Sequence, residues 1–506
     1  MKHLGITLIS RLAATSFVVA VPAAARAAAS TQPAPAAHSN AQAVSLQELE
    51  RQIAVLQHEV QTLKAHDDSA WRSRQEEAQI KRIVQGVLKD AARQEQSLQQ
   101  QATAGYDHGF FIRSPENNFR LNIRGYIQAG YIFAYSSVGT AQNISTTGQP
   151  VGPPAVGDAS RFNLRRARLI FAGYAWSPRV VYEVSGDFAG ASNNNGYFQM
   201  KTTYAGYRFS RRVLLRAGVL RVPFTYLSDY PVTGDDFGSF PLLFTPFNAD
   251  RSLGLDLSGK LFSDHLTYDA QVNNGSKASN VGNAIDNRFG YYMRVQWSHG
   301  GRVVRFRHEA AMSPRNHVAW MLGAGAGYES QNSTADAFPS PQTSLAIAGL
   351  STPDGAGFYP SFPANGSLYR ATADAHIKFN GMDASATVFF QQYNDRPPAG
   401  ASTDDFATAF GRRSLYEIAY YGELGYFLVP RKWQILGRAG ELFTQGGNKQ
   451  MVEFGLGLNR YIYGRNVKVQ TAVIYIPNAA ALSSSSTNVV LNAQNLISQV
   501  QVQIKF

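Results

Sequence analysis

The chain has 506 residues, with 47 Lys and Arg against 35 Asp and Glu, a formal net charge of +12 and no cysteine. That leaves room for one large domain with extensions and excludes disulfides, thiolate metal sites and cysteine nucleophiles. A mean hydropathy of −0.22 argues against a bundle of apolar transmembrane helices, but not against membrane strands that alternate polar and apolar residues, and 25 Tyr, 30 Phe and 44 Gly fit the latter.

Lys2 and Arg11 open the chain, an apolar run reaches Val21, and small residues from Ala23 to Ala29 offer several Ala-x-Ala sites. Residues 1–29 therefore read as a secretory signal peptide. The run is much shorter than the roughly 20 residues a spanning helix needs. No other stretch reaches that length, so an integral membrane part would have to be a closed barrel. Residues 30–45, rich in Ala, Pro, Gln and Ser, read as a linker. In the segment 46–105, Leu46, Leu49, Ile53, Leu56, Val60 and Leu63 recur three and four apart, the seam of a short oligomerising coiled coil. A weaker helical pattern through Ile80, Val84 and Leu88 fades before Gly105. The alternative is an amphipathic helix packed on its own protein.

From residue 106 to 506 a barrel domain is expected, because the period becomes two. In Phe119 to Tyr135 the odd positions are mostly apolar or aromatic, while Arg120, Asn122, Arg124 and Gln128 alternate with them. In Tyr369 to Phe379, Arg370, Thr372, Asp374, His376 and Lys378 occupy the opposite face from Tyr369, Ala371, Ala373, Ala375, Ile377 and Phe379. A soluble sandwich would also alternate. Three features favour a membrane barrel. Aromatic residues close the apolar faces, as Tyr291 and Trp297 flank Met293 and Val295. Tight connections at Ser177–Arg179, Ser210–Arg212, Ser263–His265 and Pro430–Lys432 alternate with long ones such as Ser136–Ser160, Pro223–Arg251 and Asn332–Ser367. Finally, Val500 to Phe506 alternates cleanly and ends on an aromatic ring. Candidate strands number seventeen, an odd count that such barrels avoid. Arg302 to Met312 lacks a clean apolar face and is assigned to a turn excursion. The expected fold is thus all-β: a sixteen-stranded antiparallel transmembrane β-barrel with both ends periplasmic, preceded by an external helical segment.

The stretches FFIRSPENNFRLNIRGYIQAGY (Phe110–Tyr131), FNLRRARLIFAG (Phe162–Gly173), Gly196–Phe198 and RAGVLRVPF (Arg216–Phe224) resemble the phosphate-selective porin family, porins O and P. The resemblance implies a trimeric sixteen-stranded barrel in the outer membrane with an arginine-lined path and an infolded loop. Arg165 and Arg166 match its paired arginines, and Arg251 a further arginine near its constriction. Tyr126 stands where well-known members carry arginine, and Gln199 where they carry an acid. The loop Pro223–Asp250 holds Asp229, Asp235, Asp236 and Asp250 with no Lys, Arg or His. The expectation is therefore anion preference with little phosphate saturation.

Residues 1–105 hold eleven Lys and Arg and nine Asp and Glu, so most of the net charge belongs to the barrel. Parity places Arg120, Arg124, Arg294 and Arg370 inward, with lumenal Glu183, Asp187, Asp256 and Asp269 as counter-charges. It places Arg165 opposite to Arg166 and Arg168 unless a bulge intervenes. The expected anion pathway is Arg165, Arg166, Arg251, Arg120, Arg124, Arg294 and Arg370. Its partners are inorganic anions, phosphate among them, outer-membrane lipid and copies of the same chain, but not nucleic acid, since the basic residues form no single stripe. No metal or cofactor is expected. His308, His317 and His376 sit in no hydrolase motif, so the reading is a channel and not an enzyme. A low-selectivity porin and a barrel-anchored tether are the alternatives.

Overall fold

A computed structural model describes residues 51–62, 78–90, 103–107, 109–137, 140–141, 155–156, 159–189, 198–229, 231–276, 288–308, 310–312, 316–332, 365–396, 412–445, 450–478 and 494–506. The expected signal peptide 1–29 and linker 30–45 lie outside these residues, as does most of 46–105. Within that last segment 51–62 and 78–90 are helical, as the periodicity predicts. Several of their apolar positions are open, with Ile53 45% exposed and Leu88 63%, while Leu56, Val60 and Ile80 are half-buried.

The barrel strands are β1 (Arg120–Ser136), β2 (Ala159–Ala175), β3 (Ser177–Asp187), β4 (Gln199–Ser210), β5 (Val213–Arg221), β6 (Arg251–Leu261), β7 (Leu266–Asn273) and β8 (Gly290–His299). The second half is β9 (Ala319–Asn332), β10 (Asn365–Phe379), β11 (Met382–Asp395), β12 (Ser414–Val429), β13 (Trp433–Thr444), β14 (Met451–Tyr463), β15 (Val467–Asn478) and β16 (Asn495–Lys505). Each pairs antiparallel with its sequence neighbours, and β16 pairs with β1, Gln503 opposite Gln128, which closes the ring of sixteen. Beyond the end of β16, Phe506 and Gly125 exchange backbone hydrogen bonds of 2.9 and 3.0 Å. A small hairpin, Thr103–Tyr106 with Phe110–Arg113, pairs with the remaining edge of β1 at Arg120 to Ile123.

Side-chain alternation obeys the expected parity. Along β8, Tyr292, Arg294, Gln296 and Ser298 are buried inside, whereas Tyr291, Met293, Val295 and Trp297 are exposed outside. Arg370, Thr372, Asp374 and His376 of β10 likewise point inward and are buried. A ring of closed strands leaves no sheet edge, and its outward apolar face suits hydrocarbon. The connection expected at Ser177–Arg179 falls slightly earlier. Ser177 already opens β3, and Trp176 takes up the positive φ of 60° that reverses the chain.

Two connections fold into the lumen. The first joins β5 to β6 and spans 222–250; Phe224, Leu227, Leu243, Phe244 and Phe247 in it are at most 2% exposed. They pack with Met321, Phe389, Tyr421, Leu442, Ile474 and Ile497 of the facing wall. Each large apolar side chain buried this way contributes roughly 1.5–3 kcal/mol, which keeps the loop inside. Glycine on β9 makes room: a Cβ at Gly325 would stand 2.0 Å from the Phe224 carbonyl oxygen. The second is the turn excursion assigned from sequence. It joins β8 to β9, carries a 3-10 turn at Val303–Phe306, and buries Val303 and Phe306 to 1% exposure. Lys378 donates to the carbonyls of Arg305 and His308, and Arg465 donates to that of Ala310 at 2.7 Å. The two insertions meet at Gly234, where a Cβ would lie 2.8 Å from both the Arg307 carbonyl and His308 Nδ1. Burial among Arg465, Lys505 and Lys378 pushes the His308 imidazole down to about 3, so it is a neutral part of this filling.

Candidate functional site

The insertions occupy the side of the lumen bounded by β8 to β16 and leave open space along β2 to β7. Two cavities line that open wall. The upper one, toward the long-loop rim, has a volume of about 800 Å³ and is bordered by Arg161, Arg165, Arg166, Arg168, Lys201, Arg221 and Arg251, with Asp187 and Asp250 as its acids. The lower one, toward the short-turn rim, is about 750 Å³ and is bordered by Arg208, Arg211, Arg216, Lys260, Arg294 and Arg307 with Glu183, Asp264 and Asp269. Arg221 borders both. Cations exceed acids in each, so both cavities are positive.

A β-bulge explains the paired arginines. Arg166 stands opposite Gln128 and Leu164 opposite Ala129, so Arg165 is the extra residue between them. An extra residue resets the alternation, and both guanidinium groups border the upper cavity. Arg166 donates to Gln128 Oε1 at 2.8 Å, and among the described residues no carboxylate pairs with either Arg165 or Arg166. Arg251 sits at the start of β6, opposite Arg221 at the end of β5. It donates to Thr202 Oγ1 at 3.1 Å and to Asp250 at 2.7 Å. Bonds of this kind fix the planar forks while leaving donors for an oxyanion.

The other expected pathway arginines are held elsewhere. Arg294 borders the lower cavity but is 2% exposed and bonded to Asp374 at 2.6 Å, with His376 on that carboxylate's other oxygen at 3.1 Å. Arg370 donates to Ser276 at 2.8 Å and is 5% exposed. Arg120 lies near the short-turn end of β1, paired with Asp107 at 3.1 Å. Arg124 is half-buried on β1 and borders neither cavity. Of the seven residues expected from sequence, the structure therefore brings Arg165, Arg166 and Arg251 together. Sequence reasoning missed Arg161, Lys201 and Arg221 as members. Arg221 and Arg251 lie at strand ends leading into the infolded loop, where face parity no longer fixes direction. Arg168 and Arg216 are paired, with Asp187 at 2.9 Å and with Asp256 and Asp269 respectively.

The acidic loop offsets this charge only in part, since among the described residues Asp250 is the one loop carboxylate that borders the upper cavity. Asp236 is turned to the opposite wall, and the Asp235 carboxylate accepts from its own loop at Phe237 N, 3.0 Å away. Asp236 accepts from Gln434 at 2.7 Å and from Tyr461 at 3.1 Å, and Lys468 donates to the Asp235 carbonyl at 2.7 Å. Burial raises the Asp236 carboxyl above its usual range, against the opposing pull of Lys468.

A closed sixteen-stranded antiparallel barrel with an infolded loop after its fifth strand and charged cavities inside is a porin-type architecture. Among solved structures, the anion-selective porin from Comamonas acidovorans superposes with a TM-score of 0.50 at 10% identity, over 76% of this chain and 99% of that one. The outer membrane channel DcaP of Acinetobacter baumannii aligns with a TM-score of 0.47 at 11% identity, over 80% and 100%. Salmonella typhi OmpF in complex with daunomycin aligns with a TM-score of 0.45 at 12% identity, over 79% and 100%. No protein-family model matches the chain, the phosphate-selective porins included, and no curated protein matches it.

Proposed function

We propose that this protein is an outer-membrane porin through which small anions diffuse, with the short-turn rim periplasmic and the chain assembled as a homo-oligomer. The observation that carries the reading is the pairing state of the lumenal charge. Acids on the open wall are each engaged by an arginine or outnumbered, while Arg165 and Arg166 border the upper cavity with no carboxylate partner among the described residues. Fixed guanidinium groups in a narrow wet passage replace part of an anion's hydration and repel cations. The structural neighbour described as anion-selective has the same barrel, which is compatible with this reading. Phosphate falls within the expected anion class, but the infolded loop adds no cation to the cavity, so strong phosphate saturation is not expected. Reversal potentials of purified protein in planar bilayers under a KCl gradient test the proposal. A potential of the sign set by chloride is expected, and one set by potassium would refute it.

A further inference from the structure

The two cavities differ in what faces the arginines. In the lower cavity, the carboxylates Glu183, Asp264 and Asp269 stand among the cations, and its apolar and aromatic parts, Leu214, Leu220, Tyr204 and Tyr268, come from the strands themselves. In the upper one, the barrel wall supplies Arg165, Arg166 and Arg251, and the infolded loop opposite supplies Leu227, Val232, Phe240 and Phe244 beside the neutral Ser228 and Asn248. Phe240 is the only one of these four apolar residues that is not buried. It meets Phe244 edge-on, with ring centroids 5.8 Å apart and planes at 87°, so the pair forms an aromatic corner held by the loop's packing on the far wall. The one charged residue that the loop contributes to this cavity, Asp250, is bonded to Arg251.

We infer that the upper cavity prefers anions that carry an apolar, ring-sized body over small inorganic anions. The inference rests on the anion-channel reading and narrows its solute class. A phosphate ion is hydrated on all sides, and turning some of its oxygens toward the Phe240 ring loses water for which that ring supplies no donor. An aryl or alkyl anion presents its charged end to the arginine forks, where charge-assisted bonds form, and lays its body against the aromatic corner, where removal from water is favourable. A cavity of about 800 Å³ is ample for such a solute.

The test compares two probes with the same head group, inorganic phosphate and phenyl phosphate, as blockers of chloride current through the purified full chain in planar bilayers. Phenyl phosphate should half-block at about one tenth of the phosphate concentration or lower. The Phe240→Ser variant should bring the two blockers together, and Phe240→Leu should fall between. Equal block in the unmodified protein, or stronger block by phosphate, overturns the inference. If Phe240→Ser fails to assemble, unchanged discrimination in Phe240→Leu also overturns it. Potassium selectivity in the KCl gradient would instead remove the underlying channel reading, so the two failures are separable.

Discussion

The two sides of the lumen are built by the same alternation and carry similar residue types, yet their charges do different work. On the filled side, Arg294 bonds Asp374, Arg438 bonds Glu453 at 2.7 Å and Glu423 at 3.3 Å, and Lys468 bonds a loop carbonyl. These cations are at most 4% exposed and serve to bolt the insertions to the wall. On the open side, Arg165, Arg166, Arg221 and Arg251 border free volume. An inward arginine can thus meet a solute only where nothing folds in to cover it. Net charge of the barrel overstates the charge a solute meets.

Breaking a bolt should have the largest effect on stability. Arg294→Gln leaves Asp374, wholly buried with its partner, with the His376 ring nitrogen at 3.1 Å and no guanidinium. The expected loss is about 3–5 kcal/mol in urea titrations of detergent-folded barrel. Arg166→Gln in the same assay should cost under about 1 kcal/mol. Equal losses would erase the distinction between the two sides.

The next effect is on selectivity. Changing Arg165, Arg166 and Arg251 together to Gln should abolish the chloride preference in reversal-potential measurements. Replacing Arg370, which the filled side holds, should leave that preference in place. Salt weakens the contrast, because exposed charges are screened over about 8 Å at physiological strength.

A smaller, pH-dependent effect belongs to the junction of loop and wall. Burial raises the Asp236 carboxyl in the folded state, so folding favours its protonated form. The stability this provides is full below the unfolded carboxyl value of about 3.9 and is lost as pH rises through the higher folded value. Lys468, Tyr461, Gln434, Asp235 and Asp383 surround the group. Asp236→Asn should reduce the fall of the urea midpoint as pH rises above the ordinary carboxyl range. A slope that persists in the variant places the titration elsewhere.

The smallest effect on conduction is expected from the helical segment. Ile53→Asp with Leu56→Asp should weaken oligomers on native gels through desolvated charge in the seam, with single-pore conductance unchanged. An intact oligomer would assign 51–62 to a solvated or packed helix.

The strands, their parity and the excursion at Arg302–Met312 were legible because a two-residue period and its failure are local signals. The inward placement of Arg294 and Arg370 was legible for the same reason. Their coverage was not, since it depends on Phe224 and Phe306 arriving from connections far away in sequence. The Gly-rich inner face of β9, Gly323, Gly325 and Gly327, is the trace such an insertion leaves in the chain, and it reads as a strand weakness unless a close backbone is foreseen. Arg165 shows the reverse case. Parity alone puts it on the wrong face, and only the bulge, which no residue pattern marks, turns it inward.

The seam between β1 and β16 has a consequence for how the barrel forms. Gln128 and Gln503 bond side chain to side chain at 2.8 Å across a separation of 375 residues. No hairpin can nucleate that pairing, and the entropy of closing so long a loop is offset only once the intervening ladder has brought the two edges together. Until then both strands present unpaired backbone, open to any other extended chain. Closure is therefore the late, slow step, and an assembly factor that guards those two edges would govern yield more than any contact within the wall.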